Sequence, residues 1–368
     1  MLDKKYYLSQ EIFKKEQAVL SRNAWHFVGF KTDLRNHNDY ISANIFGQSV
    51  FVQNFKGELK GFINACAHRF YPLRTNRKGN GPLRCSFHGW SYNNEGYATG
   101  IPLKKKIFCL DDCSKQNLSL VPIDIDFCGE FVFAKLPSSA YTETLQEFLG
   151  SFFTIVERIS LYLGNRYYER AYDVKSNWKL FREISTDEYH IVDVHPTTFG
   201  LEGHLPTDDQ HLQYHYTGAH SAMLVCRHEP VQHLDALRKT LLEDNTLPTH
   251  SYNIFHIFPF FLVVALPKSL FVHYMEPMAA DKSIFHSLMF DYNHKNPELK
   301  PYAEVPLSDD AKKKMSAMSD TVNREDKEVT EKLMPNLHLQ WKQPIYSKLE
   351  ERIEHFHKAY LLRLNANG

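Results

Sequence analysis

The sequence predicts an α+β chain in two unequal parts, an all-β unit followed by a larger domain of antiparallel sheet and helices. Three observations carry that reading. From Trp25 to about Leu136, short β-rich runs alternate with turn clusters of Gly, Asn, Asp and Pro. From Tyr167 to Asn293 the chain reads mostly as antiparallel strands. Helical periodicity appears around them, at 9–24, 145–156, 308–333 and 344–364.

Taken in order, Ser9 to Ala24 interleaves charges with Ile12, Phe13, Ala18 and Leu20, a helix-like pattern. Strands are expected at Trp25–Phe30, Ser49–Phe55, Leu59–Ala65 and Glu130–Leu136, and Asn76–Pro82, with Gly79 and Gly81, reads as a loop. Pro137–Ala140 is a short linker. Leu145, Phe148, Leu149, Phe152, Phe153 and Val156 then recur at spacings of three and four, one amphipathic helix. A strand over Tyr167–Val174 and a helical stretch carrying Trp178 to His190 follow. The divisions expected are 1–24, a helical segment packing on the larger domain; 25–137, the all-β unit; and 138–368, the larger domain.

Composition excludes several classes. Hydrophobic residues make up 43% and charged residues 23% of 368 positions, as in ordinary globular proteins. Lys plus Arg equals Asp plus Glu at 43 each, which argues against a nucleic-acid or anionic-membrane partner. The N-terminus has no apolar signal core. The most apolar run, Ile254–Leu266, is too short to span a bilayer and reads as a buried strand or strand pair. A cytoplasmic protein is expected. Six cysteines are too few for a disulfide scaffold, so Cys pairs point first to metal.

The text from Cys66 to Trp90, CAHRFYPLRTNRKGNGPLRCSFHGW, holds Cys66-x-His68 and Cys85-x-x-His88. With 6 Cys and 20 His, a given Cys-to-His spacing arises by chance about 0.3 times per chain, so two nearby are no accident. Two thiolates and two imidazoles make a Rieske centre, with the cysteines on one iron and the histidines on the other. They also fill a zinc tetrahedron, although zinc fingers usually group Cys with Cys and His with His. Cys109 and Cys113 read as a minor metal pair or as ordinary thiols.

A second constellation lies in NWKLFREISTDEYHIVDVHP. On one regular helix His190 and His195 would stand about 140° apart. Pro196 disfavours helical geometry at His195, so the helix must end between them. Two neutral imidazoles and one carboxylate form the facial triad of Fe(II) oxygenases. In SDTVNREDKEVTEKLM, Asp326 shares a helix face with Val322, Val329 and Leu333, where burial demands a metal or a salt bridge to Arg or Lys. Glu325 is expected on a different, solvated face.

These motifs resemble the oxygenase (alpha) component of Rieske non-haem iron oxygenases, the aromatic-ring-hydroxylating dioxygenase-like family. The likeness includes Arg69, Gly89, Trp90, Tyr92, Gly96 and Pro102 around the first motif, and NWK…E…D-x-YH-x4-H with VNREDKEV in the second. It covers nearly the whole chain. One departure is Ile184 after Glu183, where many members have Asn. The resemblance implies a Rieske 2Fe-2S domain at 25–137 and a helix-grip catalytic domain at 138–368. It implies Cys66, His68, Cys85 and His88 as cluster ligands, and His190, His195 and Asp326 as ligands of a mononuclear Fe(II). Asp187 matches the carboxylate that links the two centres across a subunit boundary; by spacing alone it is an ordinary helix-surface Asp. Implied partners are O2, a small organic substrate, an NAD(P)H-dependent reductase with or without a ferredoxin, and two further copies in a homotrimer. No Gly-rich dinucleotide fingerprint is visible in this chain.

The aromatic-rich stretch from Leu201 to Phe290 corresponds to the family's pocket lining, or to ordinary core residue by residue. It suits a planar apolar or an ammonium substrate. Mono-oxygenation, dihydroxylation and demethylation stay open. So do two rivals: a Rieske electron carrier without oxygenase activity, and a zinc-stabilised binding protein.

Overall fold

A single turn, α1 (Lys5–Leu8), leads into α2 (Gln10–Asn23). The Ser9 side chain caps α2 by accepting from the amides of Glu11 and Ile12, which otherwise lack partners. The computed structural model describes residues 2–108, 118–199, 210–226, 233–244, 251–266, 268–295, 306–339, 342 and 344–366. Cys109, Cys113 and the stretch 201–209 of the expected lining region lie outside them.

The β-rich part follows the expected runs closely. It comprises β1 (His26–Phe30), β2 (Asp39–Ile45), β3 (Gln48–Phe55), β4 (Glu58–Ile63), β5 (Lys78–Asn80), β6 (Ser91–Tyr92), β7 (Ala98–Gly100), β8 (Asp124–Cys128) and β9 (Phe131–Lys135), with one turn of helix, α3 (Lys104–Ile107). Its sheets run β4-β3-β2-β5, β1-β9-β8 and β6-β7. The expected loop at 76–82 contains β5, which pairs with the edge of β2.

After the linker, Thr144 opens α4 (Leu145–Leu149) with a capping box shared with Glu147. The single helix expected to Val156 is broken here: Gly150 takes a positive φ of 54°, one 3-10 turn follows, and α5 (Phe153–Ser160) restarts the helix. The apolar stripe survives, with Leu145, Phe148, Leu149, Phe152 and Val156 all buried.

Next come β10 (Leu163–Val174), α6 (Trp178–Ile184), α7 (Ile191–Val194), β11 (Leu212–Thr217), β12 (His220–Cys226), α8 (Leu234–Leu242), β13 (Ser251–Ile257), β14 (Phe261–Ala265), β15 (Leu270–Ala279) and β16 (Lys282–Tyr292). Two helices close the chain, α9 (Asp309–Leu333), capped by Ser308, and α10 (Glu351–Leu364). The run from Ile254 to Leu266 is therefore a strand pair.

Seven strands form one antiparallel sheet in the order β10-β16-β15-β14-β13-β12-β11. Both faces are covered, which explains the unbroken apolar text of β14. Phe261 stacks on Phe27 of β1 at 4.3 Å and meets Phe131 and Phe133 of β9 edge-on. Leu262 and Val264, on the opposite face by strand alternation, line a cavity beneath α6 and α9. That architecture bears out the expected α+β fold. Among the described residues, no helix is long and apolar enough to cross a membrane.

Candidate metal centres and the cavity beside the second

The first constellation occupies two loops that close in the same way. The Cys66 amide donates to Tyr71 O and the Cys85 amide to Trp90 O, while Phe70 N and Gly89 N return to the carbonyls of Cys66 and Cys85. In each loop the fourth residue after the Cys takes a positive φ, 59° at Phe70 and 75° at Gly89. At Gly89 the glycine meets this positive φ without strain.

Both thiols are buried, whereas His68 is half-buried and His88 exposed. The imidazole rings sit 4.7 Å apart, and His68 stacks on Trp90 at 4.9 Å. Burial pushes the Cys66 thiol up, and Cys85 beside it adds to this against a 2.9 Å contact with the Tyr92 hydroxyl. Nδ1 of His68 is buried without a partner. Two adjacent buried thiols and an orphaned imidazole nitrogen fit a cationic cluster. Among the described residues, no three of these four donors lie within 4.8 Å of one another.

The second constellation is assembled from two places in the chain. Asn177 caps α6, and the helix stops at Ile184, well before the expected His190. His190 is the N-cap of α7 and His195 its C-cap, with non-helical φ −113° and ψ 49° ahead of Pro196. This short helix turns both imidazoles inward. Their Nε2 atoms are 3.2 Å apart, and Asp326 Oδ1 on α9 lies 3.0 Å from that of His195 and 3.5 Å from that of His190. The three donors form one compact group, and Asp326 Oδ1 is buried without a hydrogen-bond donor. A carboxylate oxygen converging with two imidazole nitrogens fits a metal ion.

The outer nitrogens face carboxylates. Glu325 Oε2 accepts from His195 Nδ1 at 2.7 Å, and Asp187 Oδ2 is 3.6 Å from His190 Nδ1. Asp187 Oδ1 also accepts from the amides of Tyr189 and His190, closing the turn. In the metal-free chain burial works against a charge on His190, but Asp187 and Asp326 outweigh it and push the group up to about 9. Burial likewise opposes ionisation of Asp326, and the two histidines hold it below the usual range.

Two sequence readings are corrected here. Glu325, placed on a solvated face, reaches His195. The apolar stripe on which Asp326 was set is not the buried face of α9: Leu333 is 46% exposed, and the buried positions are Ser319, Asn323 and Thr330. The sequence reading also missed Glu188, whose buried carboxylate accepts from Tyr214 at 2.7 Å and pairs with Arg352. No motif marks it.

His190, His195 and Asp326 stand in the wall of a cavity of about 460 Å³. Phe181, Phe260, Phe271 and Phe285 supply much of its surface. Ile184, the departure from the family's Asn, is buried and lines it as well.

The chain matches the family model "Ring hydroxylating alpha subunit (catalytic domain)" over residues 164–366 and that of the Rieske 2Fe-2S domain over residues 24–111. It is 29% identical over 200 residues to the anthranilate 1,2-dioxygenase large subunit of Acinetobacter baylyi, covering 51% of this chain and 41% of the relative. Against the carnitine monooxygenase oxygenase subunit of Acinetobacter pittii it is 25% identical over 200 residues, 52% of each. The match thus spans about half the length of these relatives or less. In fold it is similar to a quaternary ammonium Rieske monooxygenase (TM-score 0.77, 18% identity, 99% and 95% of the two chains). The same holds for naphthalene 1,2-dioxygenase from Rhodococcus sp. (0.75, 17%, 100% and 95%). The two family matches imply a Rieske cluster and a mononuclear iron as cofactors. Since the catalytic-domain match alone takes in more than half of its residues, the chain belongs to the ring-hydroxylating alpha subunit family of Rieske oxygenases.

Proposed function

We propose that the chain is the terminal oxygenase of a Rieske-type system. It uses O2, and electrons from NAD(P)H passed on by a reductase, to hydroxylate a small organic molecule. The observation that carries this reading is the convergence of His190, His195 and Asp326 in the wall of a large apolar cavity. Two imidazoles, one carboxylate and an open side are the donor set of non-haem iron oxygenases.

In this reading His190, His195 and Asp326 hold the iron, Cys66 and Cys85 hold one iron of the cluster, and His68 and His88 hold the other. The metals, when bound, supply O2 activation with electrons delivered singly through the cluster. The chain's own part is positional. Glu325 takes the Nδ1 hydrogen of His195 and leaves its Nε2 lone pair for the metal, while Asp187 lies 3.6 Å from Nδ1 of His190. The phenylalanine walls hold an apolar substrate beside those atoms and keep water out.

Among the described residues no three of the Cys and His donors converge, which supports a cluster over zinc, since donors of one zinc tetrahedron lie about 3.3–3.8 Å apart at ordinary bond lengths. A homotrimer is part of the reading, with electrons passing from one copy's cluster through Asp187 to its neighbour's iron. In support, apolar side chains are exposed at both ends of that path: Phe70 and Phe87 beside the cluster loops, Tyr189 and Val192 beside His190.

Metal and sulfide analysis tests the assignment. The protein should hold about three irons and two sulfides per chain. His190→Ala should lose one iron and keep its sulfide. Zinc without sulfide would sink the reading, and two irons in the unaltered chain would leave a Rieske electron carrier. Asp187→Ala should retain all three irons and slow the reduction of the mononuclear iron by about 10–100-fold. Unchanged transfer in that variant removes Asp187 from the path.

A further inference from the structure

The wall of the cavity is not uniformly apolar. On α9, Met315, Met318 and Val322 face it, but so do Ser319 and Asn323, both buried. Counting back from Asp326, Asn323 is three residues away and Ser319 seven, so all three share one face of the helix. At 1.5 Å per residue they stand about 4.5 and 10.5 Å along the axis from the metal-ligand position.

Their hydrogen bonds leave a defined pair of groups over. Asn323 Nδ2 donates to Ser319 Oγ at 3.1 Å. The Tyr172 hydroxyl donates to Asp320 at 2.6 Å and lies beside the Asn323 side chain. The Asn323 amide nitrogen is thereby held by Ser319, which leaves its carbonyl oxygen as an acceptor. Ser319 accepts one bond and keeps its own O–H as a donor.

We propose that Ser319 and Asn323 form the specificity-determining contact of the cavity, selecting an apolar ring compound that carries one uncharged donor-and-acceptor group, a hydroxyl or a carboxamide. The inference rests on the oxygenase reading and adds the substrate class. A group that both gives and takes a hydrogen bond satisfies both residues at once. Its distance from the carbon beside Asp326 is set by the helix at about 5–10 Å. A substrate lacking the group would bury an acceptor and a donor unmatched, which binding sites of this kind discriminate against.

Three probes of nearly one shape test the idea on the metal-loaded protein: 1-indanol, 1-indanone and indane, with binding read by calorimetry. Wild type should bind 1-indanol about tenfold more tightly than indane, with 1-indanone between them. Asn323→Leu, and the milder Ser319→Ala, should each shrink the preference to about twofold and leave the affinity for indane essentially unchanged. Equal binding of 1-indanol and indane by wild type, including no binding of either, overturns the proposal. So does a variant that loses indane as strongly as 1-indanol, because that reports lost structure rather than lost recognition. Since binding is measured and not turnover, discrimination without any oxidised product would count against the oxygenase reading alone.

Discussion

His195 is gripped from one helix at both ring nitrogens. Adjacent residues of α9 divide the task, Asp326 lying 3.0 Å from Nε2 and Glu325 2.7 Å from Nδ1. Glu325 thus decides which nitrogen keeps a lone pair. Glu325→Ala should weaken iron binding at the mononuclear site by about 10–100-fold while the cluster stays in place, measured by competition with a chelator. His220 shows the opposite use of an imidazole. Its Nε2 donates to Phe148 O at 2.6 Å and its Nδ1 accepts from Phe258 N at 2.9 Å, which fits only the neutral ring. Burial lowers it to about 3, and burial lowers His26 to about 4 against a bond to Leu20. Both folded values lie below the ordinary 6.5, so this stability is complete above pH 6.5 and drains away as pH falls toward 3–4. Urea midpoints should drop steadily below pH 6.5, and His220→Gln should flatten that slope; a midpoint independent of pH there would contradict the assignment.

Among the elements, α2, α6 and α10 meet at one buried carboxylate. Glu16 accepts from Trp178 Nε1 at 2.9 Å, from Lys179 Nζ at 2.6 Å and from the Tyr360 hydroxyl at 2.5 Å. Lys179 and Glu16 are both fully buried. Glu16→Ala would leave a buried ammonium unpaired, at a cost of about 3–5 kcal/mol. Denaturant unfolding of Glu16→Ala against Glu16→Ala/Lys179→Met checks it: the double variant should recover much of the loss. The starts of α2, α6 and α9 were readable in advance, where Ser9, Asn177 and Ser308 precede helical periodicity. What was not readable depended on neighbours. Residues 325 and 326 point about 100° apart on a helix, so periodicity sends one to solvent. The ring of His195, lying across the ridge between them, meets both. The stop of α6 at Ile184 escaped notice for a similar reason, since nothing in Ser185–Tyr189 breaks a helix until Asp187 folds back onto the amides of Tyr189 and His190.

At the scale of the molecule, Glu276 on β15 joins the large sheet to the all-β unit. It accepts from the Asn44 amide at 3.0 Å and from Arg77 at 2.8 Å, and meets His286 at 3.2 Å. Burial disfavours its charge, yet His286 and Arg77 prevail and hold it down to about 2. The folded value lies below the ordinary 4.5, so the joint contributes fully above pH 4.5 and fails as pH falls toward 2. Glu276→Gln should therefore lower the melting temperature at neutral pH and abolish this part of the acid sensitivity, as calorimetry across that range would show. The two sheets that flank the joint were legible as separate β-rich textures, but their contact was not, because Asn44, Arg77 and Glu276 are far apart in sequence and individually unremarked.

Phe30 pairs with Phe131 across β1 and β9, so everything between them leaves and returns through a single doorway. The stem of that doorway is anchored elsewhere, by Phe27 on Phe261 of the large sheet. The cluster-bearing stretch is thus a cartridge on a mount, latched a second time where Asn44 and Arg77 meet Glu276. A unit of different reduction potential that keeps the Asn44 and Arg77 contacts to Glu276 can be spliced in at Phe30 and Phe131 without rethreading the chain that surrounds the cavity.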